Sequence, residues 1–221
     1  MKTTLHMVAT LIVVGLFAGG ALSLVNDWAD PLIEENQRRA REEAISFLVP
    51  GGQAGDPVVD QPGLTAWKIT DQTGGVMGWV IQATGVGFQA EIDLMFALSP
   101  DRQEIRGLKV IADSETPGLG TWIRLQPQHE QAMAGLEERH LADAVGDPKN
   151  FPLQFFAYDT GKHLSAMGDL TVVKGTPREK LGAAEVQAIT AATISAQAVV
   201  DIVNQAVEAL QAALDGQGGV S

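Results

Sequence analysis

Thr190-Ala191-Ala192-Thr193-Ile194-Ser195 is the stretch on which the reading of the fold turns. It stands between a strand-rich region and residues 195–214, where Val199, Ile202, Val203, Ala206, Val207 and Leu210 repeat at helical spacing. The hexapeptide therefore predicts a helix start. Backbone N–H groups without an intrahelical partner and the positive end of the helix dipole gather there, so an anionic group is favoured. Small Ala191 and Ala192 let a bulky phosphate approach the backbone closely. Taken alone, the stretch is a capped helix start and nothing more.

Outward from it, toward the N-terminus, the pattern becomes that of strands. Residues 64–70 and 75–83 flank Asp71-Gln72-Thr73-Gly74, which predicts a hairpin. Gly85-Val86-Gly87-Phe88 is expected to be a loop, followed by a strand over 90–98 in which Glu91 and Asp93 alternate with Ile92 and Leu94. Ser99-Pro100-Asp101-Arg102 turns the chain into a strand over 105–112. Just beyond that strand end comes Glu115-Thr116-Pro117-Gly118-Leu119-Gly120, a usual position for a ligand-binding loop. By itself, Pro117-Gly118 is a simple type II turn. Residues 128–145 carry helix-like content, 151–156 and 170–173 predict two more strands, and 216–221 a flexible tail.

The N-terminal end has a different character. Residues 3–26 are uncharged and rich in Leu, Val, Ala and Gly. As a helix they would span about 36 Å, enough for a bilayer core of about 30 Å. Lys2 precedes the run and Asp27 and Asp30 follow it, which places the N-terminus inside and the following domain outside the cytoplasm. A cleaved signal peptide is the rival reading, since Ala18-Gly19-Gly20-Ala21 offers small residues; the apolar run is long for that and continues through Leu22, Leu24 and Val25. Pro31 fits the first turn of a second, amphipathic helix over 31–49, and 51–63 is a Gly/Pro-rich link.

Composition bounds the chemistry. A net charge of −12 excludes a phosphate-backbone binder, so no nucleic-acid partner is expected. With no cysteine, disulfides and cysteine-ligated clusters are excluded, and a redox role would need a cofactor held without sulfur. His6, His129, His140 and His163 have no ligand spacing, so no metal site is expected. Ser165 and Ser195 lack a His/Asp constellation, and no phosphate-binding glycine loop occurs; Gly85-Val86-Gly87 is too short to count. Trp67, Trp79 and Trp122 read as packing anchors, with Trp122 close enough to the Glu115–Gly120 stretch to border a ligand there.

Taken together, these stretches resemble a family. Glu115-Thr116-Pro117-Gly118-Leu119-Gly120 is similar to a stretch of the FMN-binding G subunits of bacterial Rnf electron-transport complexes and of the related C subunit of the sodium-pumping NADH:quinone reductase. Ala188-Ile189-Thr190-Ala191-Ala192-Thr193-Ile194-Ser195 resembles the later motif whose threonine is esterified to the FMN phosphate, with Thr193 on the acceptor. The apolar segment followed by Asp30-Pro31-Leu32-Ile33-Glu34-Glu35-Asn36 also looks like an Rnf G subunit. Three departures stand out: Ala191 replaces the family's Gly, Asp113 stands where a His is common, and 126–150 is longer than usual.

The resemblance implies an α+β fold: one N-terminal transmembrane helix and a single FMN-binding domain. It divides the chain into a membrane anchor (1–29), an amphipathic helix and linker (30–63), the FMN-binding domain (64–215) and the tail (216–221). It implies covalent FMN on Thr193, with Glu115, Thr116, Leu119, Gly120, Lys174, Ala192, Ile194 and Ser195 as cofactor contacts, and no catalytic residue. Lys174 would face the flavin N1–C2=O edge. The implied partners are other membrane subunits of the complex, the bilayer through residues 3–26, and a flavin transferase that loads Thr193 from FAD. The implied location is the bacterial inner membrane, with the soluble domain on its outer side. Two alternatives stay open: a quinone-reductase C subunit or stand-alone FMN carrier, and a non-redox anchored module whose threonine motif is only a cap.

Overall fold

The computed structural model describes residues 2–134, 141, 144–145, 147–156 and 163–218. The chain divides into two compact units, Met1–Glu42 and Glu43–Ser221.

The first unit is helical. Where the sequence predicts two helices, there is one, α1 (Lys2–Leu48), with Pro31 inside it. Proline removes one ladder bond and crowds the preceding turn, a local cost that the flanking turns absorb. Side chains bridge the region on both sides: Asn26 donates to Asp30 at 3.0 Å, and Glu35 pairs with Arg38 and Arg39, each at 2.8 Å. Such exposed pairs are screened by solvent and add little to stability. The apolar part of α1 exposes Leu11, Val13, Leu16, Phe17 and Leu22 to its surroundings. It is the one helix among the described residues long and apolar enough to cross a membrane.

The second unit begins at Glu43, so the last turn of α1 and the Gly/Pro-rich link both belong to it. Its centre is an antiparallel sheet of β1 (Gln53–Ala54), β2 (Val59–Gln61), β3 (Leu64–Thr70), β4 (Val76–Val86), β5 (Glu91–Leu98), β6 (Glu104–Ala112) and β7 (Leu164–Ser165). The order is β1-β3-β4-β5-β6-β7, with β2 also on β3. The Asp71–Gly74 hairpin forms as expected, its turn held by the Asp71 carboxylate, which accepts the Thr73 and Gly75 N–H groups. The expected link carries β1 and β2, and the expected loop at Gly85–Phe88 is partly strand, since Val86 pairs with Glu91.

Side-chain alternation builds two cores, one per face. On one face Ile81, Leu94, Phe96 and Leu108 meet Val199, Ile202, Val203 and Ala206 of the C-terminal helix, α3 (Thr193–Gly218). On the other, Trp67, Ile69, Val80 and Met95 meet Ala44, Ile45, Leu48 and Val49 from the end of α1 and the residue after it. Each Val, Leu, Ile, Met or Phe among them contributes about 1.5–3 kcal/mol on burial. A β-carbon at Gly85 would come within 2.4 Å of the Ile202 side chain. The strand therefore admits the helix only because a glycine stands there, and this contact sets the first turns of α3 beside the β4–β5 turn.

A small parallel pair, β8 (Thr171–Val173) and β9 (Glu185–Gln187), completes the domain. Asn204 of α3 pairs with the backbone of Leu170 in both directions, at 2.9 and 3.1 Å. The strand expected at 151–156 is instead a 3-10 segment, Pro148–Phe156. Pro152 cannot donate to a ladder, and Phe151, Leu153 and Phe155 are all buried without needing strand alternation. Of the helix-like content expected over 128–145, α2 (Pro127–Ala134) forms the first part; residues 135–140, 142–143 and 146 lie outside the described residues. Gly216–Gly218, expected as tail, continue α3, while 219–221 lie outside the described residues.

Candidate functional site

Glu115 organises the region where the two marker stretches meet. Its side chain is buried, and both carboxylate oxygens are occupied. Oε1 accepts the backbone N–H groups of Phe88 at 2.7 Å and Gln89 at 3.2 Å; Oε2 accepts the Ser195 hydroxyl at 2.6 Å. One carboxylate thus joins the β4–β5 turn, the loop after β6 and the first turn of α3. Glycine is required on both sides of it: a β-carbon on Gly87 would lie 2.4 Å from Oε1, and one on Gly120 would lie 2.8 Å from Oε2.

The loop itself follows the predicted turn chemistry. The Leu119 N–H donates to the Thr116 carbonyl at 3.2 Å, and Gly118 sits at φ +72°, the conformation a type II turn demands at that place. The Trp122 indole N–H donates to the Gly118 carbonyl at 2.7 Å, and the Gln89 amide to the Thr116 hydroxyl at 2.8 Å. Trp122 therefore braces the loop. On the helix side, Ala191 has φ +65°, a left-handed conformation that costs an L-residue about 1 kcal/mol. This kink turns the chain so that Ala192 and Ser195 are buried, Thr193 is half-buried and Ile194 is exposed.

Two clefts open on either side of Thr193 and Ile194. The smaller, of about 120 Å³, is lined by Thr116, Leu119 and Gly120 of the loop, by Phe88, and by Ala191 to Ser195. The larger, of about 510 Å³, is lined by Val86, Gly87, Val172, Lys174, Gln197, Ala198 and Asp201 together with Thr193 and Ile194. That volume is in the range of small-molecule sites. Around the two clefts stand large apolar side chains left in solvent: Val86 at 80%, Ile194 at 60%, Phe88 at 57% and Leu119 at 42% exposure. Gln197 donates to Asp201 at 2.8 Å, which occupies part of the carboxylate lining the larger cleft.

The sequence-predicted residues separate into three groups. Thr116, Leu119, Gly120, Ala192, Thr193 and Ile194 line the smaller cleft together. Lys174 lies apart from the loop, in the larger cleft, and meets the others only through Thr193 and Ile194. Glu115 and Ser195 bond to each other; Ser195 borders the smaller cleft, and Glu115 lines neither. Val86, Phe88, Gln89, Val172 and Asp201 escape the sequence reading. For the first three the one signal is the Gly85-Val86-Gly87 stretch, which is too short for a phosphate loop; for Val172 and Asp201 there is none.

A flat, partly apolar ligand with an anionic tail fits these groups. A hydroxyl stands at a helix start, where unpaired N–H groups favour a phosphate, and the exposed Val86, Phe88, Leu119 and Ile194 offer surfaces for a ring system. Fold and site define a cofactor-holding α+β domain. The family model of the FMN-binding domain matches residues 87–208, and the chain belongs to that family. The match begins at the glycine beside Glu115 and spans both marker stretches.

Two relatives align along nearly their whole length. The G subunit of the ion-translocating oxidoreductase complex of Methanosarcina acetivorans is 28% identical over 218 residues, covering 96% of each chain. The G subunit of the Na(+)-translocating ferredoxin:NAD(+) oxidoreductase complex of Acetobacterium woodii is 28% identical, covering 95% of this chain and 93% of its own. Among solved structures, Shewanella oneidensis NqrC is similar at 23% identity with a TM-score of 0.43, over 67% of this chain and 61% of that one.

Proposed function

We propose that this chain is the membrane-anchored G subunit of an Rnf-type ion-translocating complex, carrying FMN as a phosphoester on Thr193 and relaying electrons between other subunits. The observation that carries this reading is the placement of Thr193. It is half-buried, opens the first turn of α3 and forms part of the wall common to both clefts, amid four exposed apolar side chains. The full-length similarity to two G subunits supports the assembly.

The site gives a reason for one acceptor among neighbouring hydroxyls. Ser195 is buried and donates to Glu115, so its oxygen is already engaged. Thr190 is exposed and lines neither cleft. Thr193 alone among the hydroxyls of the motif borders both clefts. The first-turn N–H groups of α3 would receive the phosphate, and Leu119, Phe88 and Ile194 would cover ring surface. Lys174, across the larger cleft, would place a cation near whichever ring edge gains negative charge. Bound FMN would supply one- and two-electron exchange; the protein sets its position and potential.

Loading would require a flavin transferase that moves the FMN moiety from FAD, forming the Thr193 phosphoester and releasing AMP. Residues 1–29 would anchor the chain in the bacterial inner membrane through 3–26, 30–63 would connect, and the FMN-binding domain, 64–215, would lie on the outer side. The intact mass of the chain co-expressed with such a transferase tests the reading. The expected result is one FMN adduct, mapped to Thr193 after digestion; an unmodified chain in the presence of an active transferase rejects it.

A further inference from the structure

The loop that carries Thr116 and Leu119 is closed at its base by a pair of residues outside both marker stretches. The Asp113 side chain is fully buried, while Arg124 is half exposed above it. Arg124 Nε donates to Asp113 Oδ2, and its Nη2 donates to the backbone carbonyl of the same residue at 2.9 Å. The other carboxylate oxygen, Oδ1, accepts the Glu115 N–H at 3.0 Å. One arginine thus grips Asp113 by side chain and main chain, and Asp113 in turn holds the residue whose carboxylate reaches Ser195 and the β4–β5 turn.

We propose that Asp113 and Arg124 are positioning residues: they form a neck that fixes where Thr116 and Leu119 stand beside the cofactor. The proposal rests on the reading of the clefts as the FMN site. Three physical points support it. A loop tied at both ends loses much of the freedom that its exposed turn would otherwise have. From Thr116 to Trp122 the loop bonds to itself, through Thr116, Gly118, Thr121 and Trp122, and is tied elsewhere by Glu115 and by the Gln89–Thr116 bond, so the base is what fixes the turn's far side. A buried carboxylate stripped of its cation is left uncompensated, which destabilises the closed base. Lysine at 124 would keep the charge but not the two-pronged grip.

The effect reaches the cofactor by geometry. Leu119 and Thr116 line the smaller cleft together with Ile194 of α3. A shift of the loop would change both the apolar cover and the hydrogen bonding available at the ring, and with them the balance between its oxidation states.

The test compares wild type, Arg124→Lys, Arg124→Gln and Asp113→Asn in the full-length chain in detergent, without and with FMN. Without cofactor, amide hydrogen exchange over residues 114–123 should quicken at least tenfold in Arg124→Gln and Asp113→Asn. It should quicken less in Arg124→Lys and stay unchanged across α3 and β3 to β6. With FMN loaded, the reduced-to-oxidised ratio at one fixed potential should change several-fold in the same order of variants. Loop exchange equal to wild type in both severe variants overturns the neck. Faster exchange with an unchanged flavin ratio overturns its role at the cofactor. A wild-type chain that accepts no FMN rejects the underlying site, while the exchange data still decide the neck.

Discussion

The Ser195 hydroxyl donates to Glu115 Oε2 at 2.6 Å across 80 residues of chain, and this bond joins the two marker stretches. A buried carboxylate depends on its donors, and each one lost leaves a lone pair without a partner. Removing Ser195 leaves one oxygen short in a region sealed from water. Ser195→Ala is expected to lower stability by about 1–3 kcal/mol, more than the loss of an ordinary surface hydroxyl. Denaturant titration of the full chain measures this. Covalent FMN should still form on Thr193, and a mass spectrum without adduct would mean that Ser195 does more than hold Glu115.

Gly87 and Gly120 give a prediction with opposite chemistry. Each faces Glu115 too closely for a β-carbon, at 2.4 Å and 2.8 Å. Gly87→Ala must displace a carboxylate pinned by the Phe88 and Gln89 amides, so it is expected to cost about 1–3 kcal/mol, as overpacking does. Pairing it with Glu115→Ala should recover part of that loss, because the nearer clashing oxygen is gone while the Ala90 carbonyl, at 2.7 Å, remains. Strictly additive losses in the same denaturation assay would count against the packing account.

Ala191 adopts φ +65° where the resembled family has glycine. Restoring glycine removes about 1 kcal/mol of left-handed strain, against which the unfolded chain gains entropy. Ala191→Gly should therefore change the unfolding midpoint little, while the local chain relaxes. The sharper expectation concerns modification: the fraction of chain carrying FMN at a fixed, limiting time should rise. Equal loading of the two chains in a time course would show that the backbone here does not limit it.

Burial pushes His163 below the ordinary histidine value of about 6.5, and the adjacent Arg106 guanidinium acts in the same direction. Arg106 lies 2.9 Å from Nε2 and can only donate, so the contact favours the neutral ring. Its folded pKa is depressed, so below the unfolded value the unfolded chain binds a proton that the folded chain resists. The contribution of His163 is thus complete above about pH 6.5 and declines as the pH falls from there toward the folded value. His129, whose pKa burial also lowers, adds to the same trend. Thermal midpoints of wild type and His163→Gln across this range should diverge on the acid side, with the variant less pH-sensitive; parallel curves would exclude it.

The legible parts of this chain are those encoded locally. Period-two alternation in β5 separates Ile92 and Leu94 from Glu91 and Asp93, and the helical repeat of Val199, Ile202 and Val203 marks α3. The positions of both marker stretches, at a strand end and a helix start, also follow from these patterns. Pro31 misleads because proline opens helices more often than it sits inside them. The 151–156 segment misleads because Phe151, Leu153 and Phe155 alternate as a strand would, though Pro152 already argues against one. What escapes entirely is long-range. Nothing near Glu115 in sequence indicates that Ser195 and two amides from the β4–β5 turn converge on it, nor that Arg124 closes the loop. Lys174, which the resemblance implies as a cofactor contact, lines the larger cleft with Val172, and only Thr193 and Ile194 link that cleft to the loop's.

The acceptor assignment yields the most decisive prediction. Thr190, Thr193 and Ser195 all offer a hydroxyl within one short stretch, yet their surroundings differ. Thr190 is exposed and precedes the Ala191 kink, Ser195 is buried on Glu115, and Thr193 lies at the first position of α3 between the two clefts. Thr193→Ala removes the oxygen that would form the ester while placing a good helix former at the helix start, so the fold should lose at most about 1 kcal/mol. Thr190→Ala should cost no more and keep its flavin. The three alanine variants, co-expressed with a flavin transferase and run on a denaturing gel, separate by in-gel flavin fluorescence. A dark Thr193→Ala band beside fluorescent Thr190→Ala and Ser195→Ala bands is the expected outcome. Fluorescence that survives in Thr193→Ala would transfer the ester to another hydroxyl and undo the assignment.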